Sequence, residues 1–234
     1  LFRSLMSSGN LAITQAVKEV LLQGELFDGT NLWNAKSSHE AATVVGCAIK
    51  KVREHDYEAL QKSGIEFNCN LIFGGQVKGE KPRLFNIYAA GNFIETTPET
   101  PYFQIGESKY GKPILDRVIR FNTPLNLATK CVLISMDSTI KSNISVGLPL
   151  DLVVYDKDTF RLDRVITIDE DNPYFEMMRG IWGDKLKEVA LSIPEPSWNG
   201  SKKTISIQSP SKRLGPVPIH SPKKKAATRS KVKK

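Results

Sequence analysis

Only three cysteines occur in 234 residues, Cys47, Cys69 and Cys131, and all three sit in scattered apolar stretches. An odd, dispersed set argues against a disulfide framework and fits a reducing, cytoplasmic compartment. Histidine is equally sparse. His39, His55 and His220 are far apart, which argues against a histidine-based triad or a zinc site. There is no GxGxxG, no GxxxxGK[ST], no GxSxG, no HExxH and no paired CxxC, so the common nucleotide, hydrolase and metalloprotease signatures are missing. No apolar run approaches the length of a membrane span, and no signal-peptide pattern or internal repeat is visible.

The C-terminal region lacks acidic residues where basic ones are densest. Residues 201–234 contain eleven Lys or Arg and no Asp or Glu. Of 33 basic residues in the whole chain, 22 therefore remain in the body against 25 acidic ones, so the net +8 becomes about −3 once the tail is removed. The tail, and not the body, carries the basic character. It is rich in Pro, Ser, Lys and Arg and too poor in large apolar residues to offset its ordering entropy, so disorder is expected there. It has charge for nonspecific phosphate contact but no aromatic residue for base stacking. Nucleic acid is thus expected only as a weak partner of the tail.

The body reads as alternating element types. Leu1 to Met6 is a strand-like run that meets Ser7-Ser8-Gly9-Asn10. A helix follows over 10–24, with Gly24 as its stop, and a second over 38–62, with Ser37 or Ser38 as cap and Ser63-Gly64 as end. The period then changes to two. Residues 67–73 form an apolar strand closed by Gly74-Gly75, and a polar turn over 76–82 leads to strands over 83–88 and 93–96. Helices are expected at about 109–120 and 124–141, then a hairpin of strands over 150–155 and 160–167. This order places the chain in the α+β class, with helix pairs on a sheet core. Residues 41–52 and 125–136 read as core, as do Met177-Met178, and Trp33, Trp182 and Trp198 as packing anchors.

Two places could carry chemistry. Gly9 bends a strand into a helix, where free amides and the helix dipole favour developing negative charge. Such an amide can serve as an oxyanion-hole donor, although a simple turn with Ser8 as helix cap would look the same. Asp137 lies near the end of an apolar helix among Ser135, Ser138, Thr139, Ser142 and Ser145. A carboxylate there needs a hydrogen-bonding or cationic partner. It reads either as part of a solvated helix end or as a set that positions an amine or a water.

The stretch SSGNLAITQA resembles the strand–helix junction of proteasome β-type subunits. GGQVKGEKPRLFNIYAAGNFIE, PYFQIGESKYGKPILDR and SMDSTIKSNISVGLPLDLVVY resemble one branch more closely, the Anbu proteasome-type proteases of bacteria. The likeness covers residues 1–198, including the closing IPEPSW, and residues 199–234 fall outside it as the basic tail.

The resemblance implies a four-layer αββα sandwich and amide hydrolysis by an N-terminal nucleophile. In that chemistry the hydroxyl of the first residue attacks a carbonyl and its own α-amine accepts the proton, with no cofactor or metal required. It also implies Gly9 as oxyanion donor, and Asp137 with Ser138 or Ser142 as the set beside the amine. Glu107 or Ser108 stands where the family has a supporting serine. The family's nucleophile, tuning Asp and Lys precede the SGN junction, hence upstream of Leu1, so these 234 residues by themselves are expected to be inactive. Self-association into a ring or open ring, with peptides or unfolded proteins as substrates, is the expected partnership. The alternative is a non-catalytic structural subunit of such an assembly.

Overall fold

The computed structural model describes residues 2–24 and 28–196. Residues 1–192 form one compact unit, and of the unit that begins at Ile193 only residues 193–196 are described, without regular secondary structure. Eleven elements follow in order: β1 Phe2–Gly9, α1 Leu11–Gln23, α2 Ser38–Lys62, β2 Cys69–Gln76, β3 Arg83–Ile87, β4 Phe93–Glu95, α3 Lys112–Val118, α4 Leu125–Ser142, β5 Leu150–Val154, β6 Arg164–Ile168 and α5 Pro173–Ser192. The fold is mixed α+β, with five helices and two antiparallel sheets among the described residues.

The first sheet has the order β1-β2-β3-β4. Its centre is β2, whose Cys69, Leu71, Ile72 and Phe73 are all buried. A strand flanked on both edges and covered on a face loses water from nearly every side chain, which is why its apolar run is almost continuous. Against it lie α1 and α2, which contribute Ile13, Val17 and Leu21 and then Ala41, Val44, Val45, Ala48, Ile49 and Val52 to one core cluster. The 3.6-residue spacing of these positions aligns them on one helix face. Phe73 and Phe85 stack at 6.2 Å within the cluster, and Phe85 meets Phe93 edge-on at 5.5 Å. A second cluster joins Leu133 of α4, Ile168 of β6, and Phe175 and Met178 of α5.

Several local expectations need correction. Gly74 and Gly75 do not close β2; they lie inside it, and the strand runs on to Gln76. A Cβ on Gly75 would stand 2.9 Å from the Phe2 carbonyl oxygen, so the glycine permits close approach of β1. Gln76, expected in a polar turn, is fully buried. Its Nε2 donates to the Glu80 carbonyl (2.9 Å) and to Asp158 Oδ1 (2.6 Å). Its Oε1 accepts from Tyr155 Oη (2.5 Å) and from the Asp158 amide (2.9 Å). A buried amide with every bond made is tolerable, and this one ties the end of β2 to the loop after β5.

The helix expected over 109–120 is shorter, Lys112–Val118. The second strand of the closing hairpin begins at Arg164, because Asp158 and Phe160 take positive φ (66° and 53°) in the loop. Helix α5 went unanticipated. Gly180 and Gly183 interrupt its apolar spacing, and each glycine inside a helix costs about 1 kcal/mol of propensity. Of the residues expected in the core, Leu125, Leu127, Val132, Met177 and Trp33 are exposed, whereas Met178 is buried and Trp182 half-buried. Trp198 and the basic tail lie outside the described residues.

One ion pair fixes the far edge of the first sheet. Arg83 Nε and a terminal guanidinium nitrogen donate to the two Glu95 oxygens at 2.7 and 2.5 Å, with both side chains largely buried. The bidentate bond to Arg83 holds the Glu95 carboxyl below its ordinary range. A carboxyl depressed by folding adds stability above its unfolded pKa and loses it as pH falls through the lower, folded value. Glu95→Gln is therefore expected to destabilise at neutral pH by about 1 kcal/mol and to lose this difference from the wild type in acid. Urea denaturation at pH 7 and near pH 3 would check both.

Candidate functional site

The junction of β1 and α1 is held from below by β2. Gly9 pairs with Cys69 and Ser8 with Asn70 in the antiparallel ladder. Gly9 takes φ +110°, and a Cβ there would stand 2.4 Å from the Asn68 carbonyl oxygen. Only glycine fits both the dihedral and the approach. The next amide, Asn10 N, donates to that same carbonyl at 2.9 Å.

Asn10, not Ser8, is the helix cap: its Oδ1 accepts from Ala12 N (2.9 Å) and Ile13 N (3.4 Å). Such a cap contributes about 1 kcal/mol. The first turn of α1 holds no acidic residue, so no side chain of the helix itself offsets its positive end beside the exposed Gly9.

A loop crosses beside this junction. Gly106, at φ +75°, comes so close that a Cβ on it would lie 3.7 Å from Ser8 Cβ. The following Glu107 is half-buried. Its Oε1 accepts from the Lys109 amide (3.1 Å) and its Oε2 from Asn143 Nδ2 (3.1 Å). Asn143 closes α4 by donating its own amide to the Thr139 carbonyl at 2.9 Å. Its Oδ1 accepts from Ser145 N (2.9 Å) and Ser145 Oγ (2.7 Å), an Asx-type turn.

The Ser108 carbonyl accepts from Lys112 N at 3.0 Å. Further along, a Cβ on Gly111 would stand 2.1 Å from Ser135 Oγ, so the loop lies tightly on α4. Of the two loop residues left open by the sequence, Glu107 is the one whose side chain reaches the end of α4.

The other three sequence-derived residues lie on α4 itself. Asp137 is buried and accepts from Arg179 Nε of α5 at 2.5 Å, while the same guanidinium lies 5.1 Å over the Phe175 ring. Ser138 Oγ donates to the Ile134 carbonyl within the helix (2.9 Å). Ser142 is the exposed last residue of α4, next to Asn143. The fold thus gathers the Gly9 junction, the 106–108 loop and the 142–145 turn, and gives Asp137 a partner on α5. Asn143 and Arg179 are the residues that sequence reasoning missed. The Asn-x-Ser spacing after a helix was a legible turn signal for the first. Nothing local pointed to the second, which lies 42 residues from its partner.

Cys69 lies in register with Gly9, which raises the question of a thiol nucleophile. Burial in an apolar strand pushes its pKa up to about 11, so the thiol is protonated and unreactive at neutral pH. No group of three or more potential metal ligands exists among the described residues. A groove of about 360 Å³ lies elsewhere, between the second half of α2 and the turn at Ala89-Ala90, and none of its lining residues belongs to the junction.

This mixed α+β fold is shared with solved structures of an ancestral beta-subunit class. No protein-family model matches the chain, and no curated protein does. Solved structures match closely. Anbu (ancestral beta-subunit) from Yersinia bercovieri is 49% identical over 84% of this chain and 81% of its own, with a TM-score of 0.77. Anbu from Hyphomicrobium sp. strain MC1 is 48% identical over 83% and 81%, with a TM-score of 0.75. A helical assembly of the Anbu complex from Pseudomonas aeruginosa is 41% identical over 85% and 82%, with a TM-score of 0.79. The chain belongs to the Anbu family.

Proposed function

We propose that this chain is a proteasome-type peptidase subunit that hydrolyses amide bonds with an N-terminal nucleophile, threonine in the family it resembles. The observation that carries the reading is the Gly9 junction: an exposed glycine at φ +110° at the start of α1, whose first turn holds no acidic residue. Its amide is suited to stabilise the oxyanion of a tetrahedral intermediate, a contribution of about 3 kcal/mol per donor where it has been isolated.

The reading requires a nucleophile, with its tuning Asp and Lys, from a segment upstream of Leu1. The nucleophile's hydroxyl attacks the carbonyl carbon. Its proton passes to the α-amine, an apt base because its ordinary pKa lies near 8. The resulting ammonium then protonates the leaving amine as the C–N bond breaks, and water releases the acyl group by the same route. No cofactor is needed. Residues 106–108 and 142–145 would flank the amine, with Glu107, Ser108 and Ser142 within that group. Asp137 and Ser138 would support it from inside α4.

In this reading the two sheets stack as the inner layers of an αββα sandwich spanning residues 1–198, and residues 199–234 form a basic extension. Copies of the chain associate into a ring, an open ring or a helical array in the cytoplasm, as the helical Anbu complex of Pseudomonas aeruginosa suggests by analogy. The second reading is a non-catalytic structural subunit of that assembly. It is favoured by Asp137, whose charge is already taken up by Arg179.

The two readings separate on the protein purified from its native host. N-terminal sequencing and intact mass would be followed by incubation with an electrophile that acylates an N-terminal hydroxyl. A hydroxyl residue at the N-terminus, with one covalent adduct per subunit, is the expected result. A native chain without such a residue, or without an adduct, would sink the peptidase reading and leave the structural one.

A further inference from the structure

We infer that Asn143 is a positioning residue which holds the Glu107 carboxylate as a counter-ion for a cation formed beside the Gly9 junction. The inference rests on the peptidase reading, in which that cation is the ammonium of the nucleophile's own amine. Three observations carry it. First, Glu107 is fixed at both oxygens, by Lys109 N and by Asn143 Nδ2. Second, Asn143 cannot swing away, because its Oδ1 is held by both the amide and the hydroxyl of Ser145 while its own amide closes α4. Third, the carboxylate is placed beside the C-terminal end of α4, where the helix dipole is itself negative.

Two negative features are thus brought together, and Glu107 enters no ion pair among the described residues. A folded chain that holds a carboxylate in such a field is prepared for a positive charge. The loop that carries Glu107 touches Ser8 through Gly106, so the charge belongs at the junction. Of the other titratable groups on the elements around it, Tyr110 follows on the loop, and Lys130, Cys131 and Asp137 lie further back along α4, Asp137 being paired with Arg179. Beside these stand Lys109 on the loop, Lys141 in the last turn of α4 and Cys69 opposite Gly9. None of these lysines pairs with Glu107, and the thiol opposite Gly9 is neutral.

The chemistry follows with its balance intact. As the hydroxyl oxygen bonds the carbonyl carbon, the carbonyl π pair moves onto oxygen near Gly9 and the hydroxyl proton moves to the amine. Glu107 stabilises the ammonium so formed, without itself taking the proton. Asn143 sets where that negative charge sits.

The test compares the native protein with Glu107→Gln, Asn143→Leu and the milder Ser145→Ala, which removes one hydroxyl bond at an exposed position. A carboxylate beside an amine raises the amine's pKa. In Glu107→Gln the acidic limb of the kcat/KM profile on a peptide substrate should therefore move to lower pH by about one unit. The maximal kcat should fall by about tenfold with KM little changed. Asn143→Leu should move the limb the same way, by less, and the double variant should add little beyond Glu107→Gln. Superimposable pH limbs in wild type and variants would overturn the inference, even if kcat fell.

The pH dependence of N-terminal amine acylation by a small anhydride reads the same shift without turnover. If the wild type hydrolyses nothing, the peptidase reading fails on its own. The labelling curve still decides the role of Glu107: a lower amine pKa in Glu107→Gln supports it, and an unchanged one overturns it.

Discussion

Replacing Gly9 with alanine is expected to lower folding stability by about 3 kcal/mol and to remove hydrolytic activity by about a hundredfold or more in the native protein. The two effects have separate causes. Alanine at φ +110° is strained whatever surrounds it, and its Cβ would meet the Asn68 carbonyl oxygen at 2.4 Å and carbon at 2.8 Å. The obstruction is backbone, which cannot swing aside like the end of a side chain. Relief must come from sliding the end of β1 away from β2, which breaks the bond from Asn10 N to Asn68 O and tilts the start of α1.

An oxyanion donor displaced by even an ångström loses most of its effect. Thermal denaturation and initial rates on a peptide substrate would be measured together. A Gly9→Ala protein with wild-type kcat would show that the Gly9 amide takes no part in the chemistry.

The second large effect is expected at Arg179. Its guanidinium is the hydrogen-bonding cation of Asp137, which is 5% exposed. Removing the partner of a buried carboxylate leaves the charge without solvation or compensation. Because Arg179 is itself half-exposed, water can recover part of that loss, so Arg179→Met is expected to destabilise by about 2–3 kcal/mol, less than a fully buried pair would give.

The sign test is the double variant. Asp137→Leu with Arg179→Met should regain much of the loss, since Phe175 already lies under the guanidinium and Leu133 stands one turn before Asp137 on α4. This cycle, read by urea denaturation, also assigns Asp137. If the double variant is stable and retains the wild-type kcat, the carboxylate anchors α5 to α4 and does not serve the amine. If it is stable and inactive, Asp137 belongs to the chemistry as well.

The elements that the sequence made plain are those whose burial is one-sided and local. Helix α2 appeared with its true ends because its apolar residues recur on one face between Ser37, which caps it through the Glu40 amide at 3.0 Å, and Ser63. The junction at Gly9 was legible for the same reason: a strand, a glycine and a cap are neighbours in the chain. The short strands β3 and β4 were visible as alternation between polar turns.

What escaped depended on partners distant in the chain. Gly74 and Gly75 look like a stop, but the sheet needs them as interior residues because the β1 backbone passes so close. Gln76 looks like turn polarity until Tyr155 and Asp158, 79 and 82 residues away, satisfy its amide in the core. Helix α5 has glycines at 180 and 183 and only Phe175 and Met178 buried, so its periodicity was too weak to read.

The amino-acid sequence by itself determined the helix and strand periods, the class of fold, the family and the glycine at the junction, since each is written in residues close to one another or in blocks that match in order. Only the tertiary structure decided which polar groups belong together. It set Glu107 against Asn143, 36 residues away, and Asp137 against Arg179, 42 residues away. A carboxylate's role is fixed by the charge and hydrogen-bond donors that surround it in space, and spacing along a chain does not record those.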